Sequence, residues 1–413
     1  MLRDQRLETL VIGAGIVGAA TARFIQKRGG TVALIDKGAP GMGASYGHAG
    51  NLGISYVFPA ASRALIRAIP KMMRDRNGPF VVRPRLIPFI LPWFMRLVQA
   101  ADPDAVAAAV KAAVALQKNG RKDWDSLTEG SRAAGLIDWA GMLEVCATPE
   151  SLARMKGVWE SICDLGFSVE TLDADAVFQA ERNLAPAAGG AILNDTGHTT
   201  DPLALTRGLV DDIANAGGQV FADTVRAIEP GDGGVTVIGE RARYAARTVV
   251  IATGVDAPRL ASAFGNRVPL VAERGYHIML PAAGGPTRRP VTLVDRRVVV
   301  TPMAGGTRLT TMAEFTTAGA PPDYRRADRV FRPALDAFPA LARDVASRWV
   351  GSRPSTPDSL PVIGRSPKHP SVFFAFGHGG KGLTNAATTG RVIAALIAGD
   401  DPGMDVTPFR GDR

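Results

Sequence analysis

An α/β fold of two domains is predicted by three features of this 413-residue chain: a complete strand–helix–strand unit over residues 9–36, a second glycine loop entering a helix at 377–398, and a length beyond one ordinary hydrophobic core. In the first unit, Thr9–Ile12 is a short apolar strand, followed by Gly13, Gly15 and Gly18 as G-x-G-x-x-G. Ile16–Arg28 carries helical spacing of Val17, Ala20, Phe24 and Ile25, and Gly29-Gly30 ends it. Thr31–Ile35 is a second strand, closed by Asp36, 23 residues after Gly13. Each residue type has a chemical reason. Gly13 permits the tight turn, Gly15 lets a pyrophosphate approach the backbone at the helix N-terminus beside Ile16 and Val17, and Gly18 lets helix and strand pack closely. Asp36 is placed to accept hydrogen bonds from an adenosine ribose.

Residues 37–53 hold glycines at 38, 41, 43, 47, 50 and 53, too dense for a helix or strand interior and suited to backbone threading beside a ligand. A loop of this kind fits a flexible pyrophosphate and a flat ring, which favours FAD over a nicotinamide cofactor. Lys37, Ser45, His48, Ala49 and Gly50 are its candidate contacts. Residues 101–134 read as one alanine-rich helix. Met142–Ala147 reads as a strand, Pro149–Leu165 as a helix ended by Gly166, Asn194–Gly197 as a turn, and Asp201–Gly217 as a helix with Asp201 at the N-cap.

Strands follow at Val220–Phe221 and Val225–Ile228, with a hairpin around residues 231–234. Thr248–Ala252 is a buried strand running into Thr253-Gly254. A second hairpin joins Arg297–Thr301 to Arg308–Met312, and Arg325–Arg348 reads as a basic helical region with a solvated face. Near the C-terminus, G-S-R-P-S-T-P-D-S-L-P-V-I-G at 351–364 precedes a strand at Val372–Phe376. G-H-G-G-K-G-L-T at 377–384 then enters a helix over Asn385–Ala398, offering backbone N–H groups and a positive dipole end. No second G-x-G-x-x-G follows a strand, so electrons are expected from an organic substrate rather than from NADPH.

The composition, 46% hydrophobic and 21% charged, is that of a globular protein. Cys146 and Cys163 lack metal-type spacing and fit a reduced compartment. No signal-like N-terminus and no membrane-length apolar run is present, so a cytoplasmic location is expected. The net charge of +9 is uneven: between Arg63 and Arg96 eight basic residues stand against the single acid Asp75. Pro84–Arg96 within that stretch is apolar and contains Trp93, as in a peripheral protein resting on an anionic bilayer. Packing of the same stretch on the core is the competing reading, and Pro70, Pro84, Pro88 and Pro92 break any long amphipathic helix. No nucleic-acid-binding motif is visible.

Taken together, G-A-G-I-V-G (13–18), S-Y-G-H-A-G-N (45–51), E-R-G-Y-H (273–277), the 351–364 segment and G-H-G-G-K-G-L-T resemble the D-amino-acid oxidase and glycine oxidase superfamily of FAD enzymes, in the expected order along nearly the whole chain. Within it, the chain looks most like bacterial D-amino-acid and D-hydroxyproline dehydrogenases. The resemblance implies a Rossmann-type FAD-binding domain (1–55, 198–262 and 346–413) interleaved with an α+β substrate domain on an antiparallel sheet (56–197 and 263–345).

The resemblance also implies roles. Arg353, in the G-x-R-P turn, stands where relatives hold the substrate carboxylate, which suits a guanidinium's two parallel donors. Tyr276 is a candidate second donor to that carboxylate. His378 and Lys381 lie in the flavin-contacting loop, where a cation or a backbone N–H stabilises negative charge on reduced flavin. Val225, Thr253, Gly254, Gly351, Gly380, Gly382, Leu383 and Thr384 complete the expected FAD contacts. Ser45-x-x-His48-Ala49 has the spacing by which dimethylglycine-dehydrogenase-like relatives attach FAD to histidine; covalent attachment, noncovalent contact and a structural role all remain open for His48. The implied reaction is hydride transfer from the α-carbon of a small amino acid, expected to be a D-amino acid with D-proline and D-hydroxyproline among the candidates, to flavin N5, with electrons passed to a quinone or other acceptor. A sarcosine- or glycine-type oxidase using oxygen is the alternative within the fold. A flavin-binding docking subunit of a larger dehydrogenase is the alternative outside it.

Overall fold

The computed structural model describes residues 7–75, 78–83, 86–231, 233–282, 287–316 and 320–413. Arg76, Pro84, Arg85 and Asp232 lie outside the described residues, as do residues 1–6. The fold is α/β, with two large sheets. In the first, strands Gln219–Ala222, Val32–Asp36, Leu7–Ile12, the second half of Arg243–Ile251 and Val372–Phe376 run parallel in that order. The hairpin Val225–Gly231/Gly234–Gly239 and the strand Val362–Arg365 add antiparallel edges. Parallel strands must be buried on both faces. Helix Ile16–Lys27 accordingly lies against helix Gly382–Ala398, so the two glycine loops that open these helices meet at one end of the sheet.

The second sheet runs Ser347–Ser355, Val271–Leu280, Gly306–Phe315, Val298–Met303, Val291–Leu293, Met142–Cys146, Gly189–Leu193 and Val169–Leu172. It is mainly antiparallel; Met142–Cys146 pairs parallel with Val291–Leu293, and Phe80–Val82 parallel with Gly306–Phe315. Its face is covered by helix Tyr324–Asp336, through Ala327, Val330, Phe331 and Ala334.

Several elements differ from the sequence reading. The 101–134 helix is two helices, Pro103–Gln117 and Gly120–Thr128, because the chain bends at Asn119 and sets Gly120 against Ile54. Thr196 and Gly197, expected in a turn, belong to a short strand paired with Asn51–Gly53. The basic region 325–348 is helical only to Asp336: Pro339 cannot extend the helix, and Ser347 begins a strand. That strand also takes in the expected G-x-R-P turn and pairs with Val271–Leu280, so residues 347–355 sit in the second sheet although the sequence reading grouped them with the nucleotide unit. The proline-rich basic stretch forms two short helices, Arg63–Arg74 and Ile87–Ala100. Pro88 occupies the first turn, where no N–H is needed, but Pro70 and Pro92 lie inside. Trp93 is buried and donates through Nε1 to Ser355 O at 3.0 Å, so it anchors this helix to the core rather than to a surface.

Candidate active site

A cavity of about 1490 Å³ runs from the loop at Gly13 to the face of the second sheet. Gly13 (φ +108°) turns the chain so tightly that a Cβ would fall 2.4 Å from Ala252 O, and a Cβ on Gly18 would fall 1.8 Å from Gly13 O. The three glycines thus bring strand and helix together and leave the helix N-terminus on the cavity wall, at Gly15, Ile16 and Val17. Asp36 is held beside it, Oδ2 accepting from Ala14 N at 2.7 Å and Oδ1 from Gly38 N at 2.9 Å. Ser45 Oγ accepts from Ile16 N at 3.0 Å and folds the glycine loop back over the same turn. Lys37, whose ammonium pairs with Asp256 at 2.6 Å, lines the cavity with Val225, Thr253 and Gly254. The Thr253 hydroxyl is buried without a hydrogen-bond partner among the described residues.

Ala49, Gly351, Gly380, Lys381, Gly382, Leu383 and Thr384 also line the cavity. Gly18 and Gly50 do not. Gly18 acts only in packing, and Gly50 (φ +82°) is a turn whose Cβ would meet Thr199 O at 2.4 Å. His48 borders the cavity with both ring nitrogens engaged: Nδ1 accepts from Gly50 N at 3.1 Å and Nε2 donates to Gly380 O at 3.0 Å. Burial, with Arg353 and Arg308 nearby, lowers its pKa to about 4, so it is neutral.

Arg353 projects into the cavity over Gly275, where a Cβ would fall 2.2 Å from Nη2. Its Nη1 donates to Glu273 Oε1 and to Met312 O, both at 2.8 Å. Met312 has φ +74°, at an irregularity in the ladder that turns its carbonyl onto the guanidinium. Nε and Nη2 make no protein hydrogen bond among the described residues, leaving one fork edge of Arg353 for a ligand.

Two expected roles are corrected. The Tyr276 hydroxyl donates to buried Glu314 at 2.5 Å and accepts from Asp323 N at 3.0 Å, so it is committed on the other face of the sheet and does not supplement Arg353. His378 Nε2 is hydrogen-bonded to Thr389 Oγ1 at 3.0 Å, and burial lowers its pKa to about 3, so it is no cation. Lys381 keeps that possibility: burial lowers its pKa only to about 8, leaving it mostly charged at neutral pH.

Four residues were missed. Glu273 is one. The other three fasten the glycine loop to the second sheet. Arg308 donates to Tyr46 O at 3.2 Å and His48 O at 2.5 Å. His277 Nδ1 donates to Gly47 O at 3.1 Å. Trp349 stacks on His277 with centroids 5.1 Å apart, and a Cβ on either Gly47 or Gly351 would overlap its ring at 1.9 Å.

His48, His277 and His378 are all held neutral by burial, with pKa values lowered to about 4, 4 and 3. The unfolded chain binds protons there from about pH 6.5 downward, whereas the fold does not. Stability is therefore expected to fall as pH drops from about 6.5 towards 4, by up to ~1.4 kcal/mol per pH unit for each histidine. Urea midpoints of the holoprotein at pH 7 and pH 5 measure this; equal midpoints would rule it out.

The residues present fit FAD. The glycine turn and helix start suit a pyrophosphate, Asp36 a ribose, the orphan Thr253 hydroxyl a polar group of the ligand, and the widening at Arg353 a ring with substrate on its face. The chain matches the family described as DAO, FAD dependent oxidoreductase, over residues 8–396. A relative named D-amino-acid oxidase, from Bradyrhizobium diazoefficiens, is 31% identical over 98% of both chains. One named D-amino acid dehydrogenase, from Rhizobium johnstonii, is 28% identical over 97% of this chain and 98% of its own. Among solved structures, glycine oxidase from Geobacillus kaustophilus shares the fold with a TM-score of 0.75 at 23% identity, covering 99% of each chain. The cavity and these matches agree: the chain belongs to the DAO family of FAD dependent oxidoreductases and uses FAD as its cofactor.

Proposed function

We propose that this enzyme oxidises a small amino acid, of D configuration as in the relatives' names, with cyclic substrates such as D-proline and D-hydroxyproline among the candidates. One observation carries the reading: Arg353 lines the cavity that fits the dinucleotide, and its Nε/Nη2 edge makes no protein hydrogen bond among the described residues. That edge matches a carboxylate bidentately and fixes the α-carbon. The bound α-ammonium first gives up a proton to water, which frees the nitrogen lone pair; the Cα–H bond then breaks with both its electrons and that lone pair forms C=N, after which water hydrolyses the imino acid, or a cyclic imine persists. When bound, FAD supplies the two-electron acceptor for that hydride. Lys381, on the cavity wall, would add positive charge to offset that on the reduced cofactor, and Arg353 contributes mainly by orientation. His48 serves in this reading as a noncovalent support, since both its nitrogens hold the loop.

The electrons are proposed to pass to a quinone at an anionic bilayer. Helix Ile87–Ala100 exposes Phe89 (78%), Met95 (58%) and Leu91 (50%), and the preceding helix Arg63–Arg74 exposes Arg63, Arg67, Lys71 and Arg74. Leu65, Ile69, Ile90 and Phe94 from the same two helices line the cavity. No described helix is long and apolar enough to cross a membrane, so contact would be peripheral. The relative named as an oxidase favours a second reading, with oxygen as acceptor.

One experiment tests these points in sequence. Purified holoprotein is titrated anaerobically with D-amino acids, D-hydroxyproline, sarcosine and glycine, then reoxidised with oxygen or with quinone in anionic vesicles, and finally acid-precipitated. Bleaching by a D-amino acid, faster reoxidation by vesicular quinone and a colourless pellet are expected. Failure of every amino acid to bleach the flavin would overturn the reading and favour a docking subunit.

A further inference from the structure

Glu273 is a charge inside the cavity to which the proposed reaction gives no task. It lies directly opposite Arg353 in the ladder between Val271–Leu280 and Ser347–Ser355, so both side chains leave the sheet on one face, and Ser355 follows on that face two residues later. Its Oε1 accepts from Arg353 Nη1 and its Oε2 from Ser355 Oγ, each at 2.8 Å. The carboxylate is therefore pinned at both ends. Each oxygen keeps a second lone pair, and the side chain is 22% exposed along the cavity wall.

A lone arginine in a partly dry cavity would accept any small carboxylate. Here a fixed anion already compensates the guanidinium, so a simple carboxylate arriving at the open edge meets both Arg353 and the repulsion of Glu273. An α-amino acid carries its compensating ammonium on the very carbon that bears its carboxylate, and meets Glu273 as an attraction. We propose that Glu273 is a specificity-determining residue that makes this a zwitterion site: it holds the substrate's α-ammonium and rejects the matching carboxylic acid that lacks an amine. The inference rests on the reading that Arg353 receives the substrate carboxylate.

The test uses pairs of ligands that differ in the amine: D-alanine with propionate, and D-proline with cyclopentanecarboxylate. Dissociation constants come from anaerobic flavin reduction for the amino acids and from perturbation of the flavin absorption spectrum for the simple acids, in wild-type, Glu273→Gln and Ser355→Ala holoenzymes. Glutamine keeps the size and an acceptor for Arg353 but removes the charge. In Glu273→Gln the amino acids should bind about 10- to 100-fold more weakly and the simple acids about 5-fold or more tightly. Ser355→Ala, which frees one end of the carboxylate, should move both classes in the same opposite directions by less. Parallel weakening of both classes would overturn the proposal, leaving Glu273 as a prop for Arg353. If Arg353→Met left binding of both classes unchanged, the carboxylate-clamp reading itself would fall, and the zwitterion proposal with it.

Discussion

Replacing Arg353 with methionine is expected to lower kcat/KM for the best amino acid by about 10²- to 10⁴-fold while the protein keeps its yellow cofactor. Two effects combine. The substrate loses two charge-assisted hydrogen bonds at the open fork edge, each typically worth about 1.5–3 kcal/mol. Glu273 and Met312 O also lose their donor, so an uncompensated anion is left in the cavity where the substrate carboxylate must come to rest. Arg353→Lys should recover little, because an ammonium cannot bridge the same positions. The measurement is steady-state kinetics beside flavin content; wild-type turnover in Arg353→Met with full flavin would remove the carboxylate clamp.

Gly13→Ala should yield protein without flavin, or little folded protein. The added Cβ would lie 2.4 Å from Ala252 O in a conformation, φ +108°, that side chains rarely adopt. Ala252 cannot give way easily: its N–H is bonded to Ile12 O at 2.8 Å and it continues strand Arg243–Ile251. Backbone strain and displacement together are expected to cost on the order of 3 kcal/mol or more, concentrated at the turn meant for the pyrophosphate. Gly157→Ala is the control. That glycine lies in helix Pro149–Asp164 with open space where its Cβ would go, and the change should be neutral or slightly stabilising. Flavin per polypeptide and melting temperature read both variants; normal flavin content in Gly13→Ala would contradict the assignment of the turn.

The nucleotide end was legible because its signals are local. Gly13, Gly15, Gly18 and Asp36 belong to one continuous strand–helix–strand unit, and chain geometry alone brings them together. The substrate end depends on register between strands far apart in sequence. Nothing near Trp349 announces that its ring occupies the space above Gly47 and Gly351, and Glu273 meets Arg353 only because residues 80 apart pair in one ladder. Tyr276 shows a signal that was present and unused. In E-R-G-Y-H, alternation puts Glu273, Gly275 and His277 on one face and Arg274 and Tyr276 on the other. A glycine that makes room for Arg353 thus places the next hydroxyl on the opposite side, where Glu314 receives it. The break in the long alanine-rich helix was hidden for a similar reason: Gly120 is tolerable in a helix until its contact with Ile54 is known.

The strand carrying Arg353 ends at Ser355, and Val362 already belongs to the other sheet. The short connection between them is laced to itself and to the C-terminus, with Thr356 Oγ1 on Leu360 O, Asp358 on Leu360 N, and Arg413 on Asp358. That bridge ties the strand carrying the guanidinium to the neighbouring sheet and to the last residue of the chain. A change at Asp358 or Arg413 would therefore reach the guanidinium through a single short run of chain, although neither residue faces the reactant.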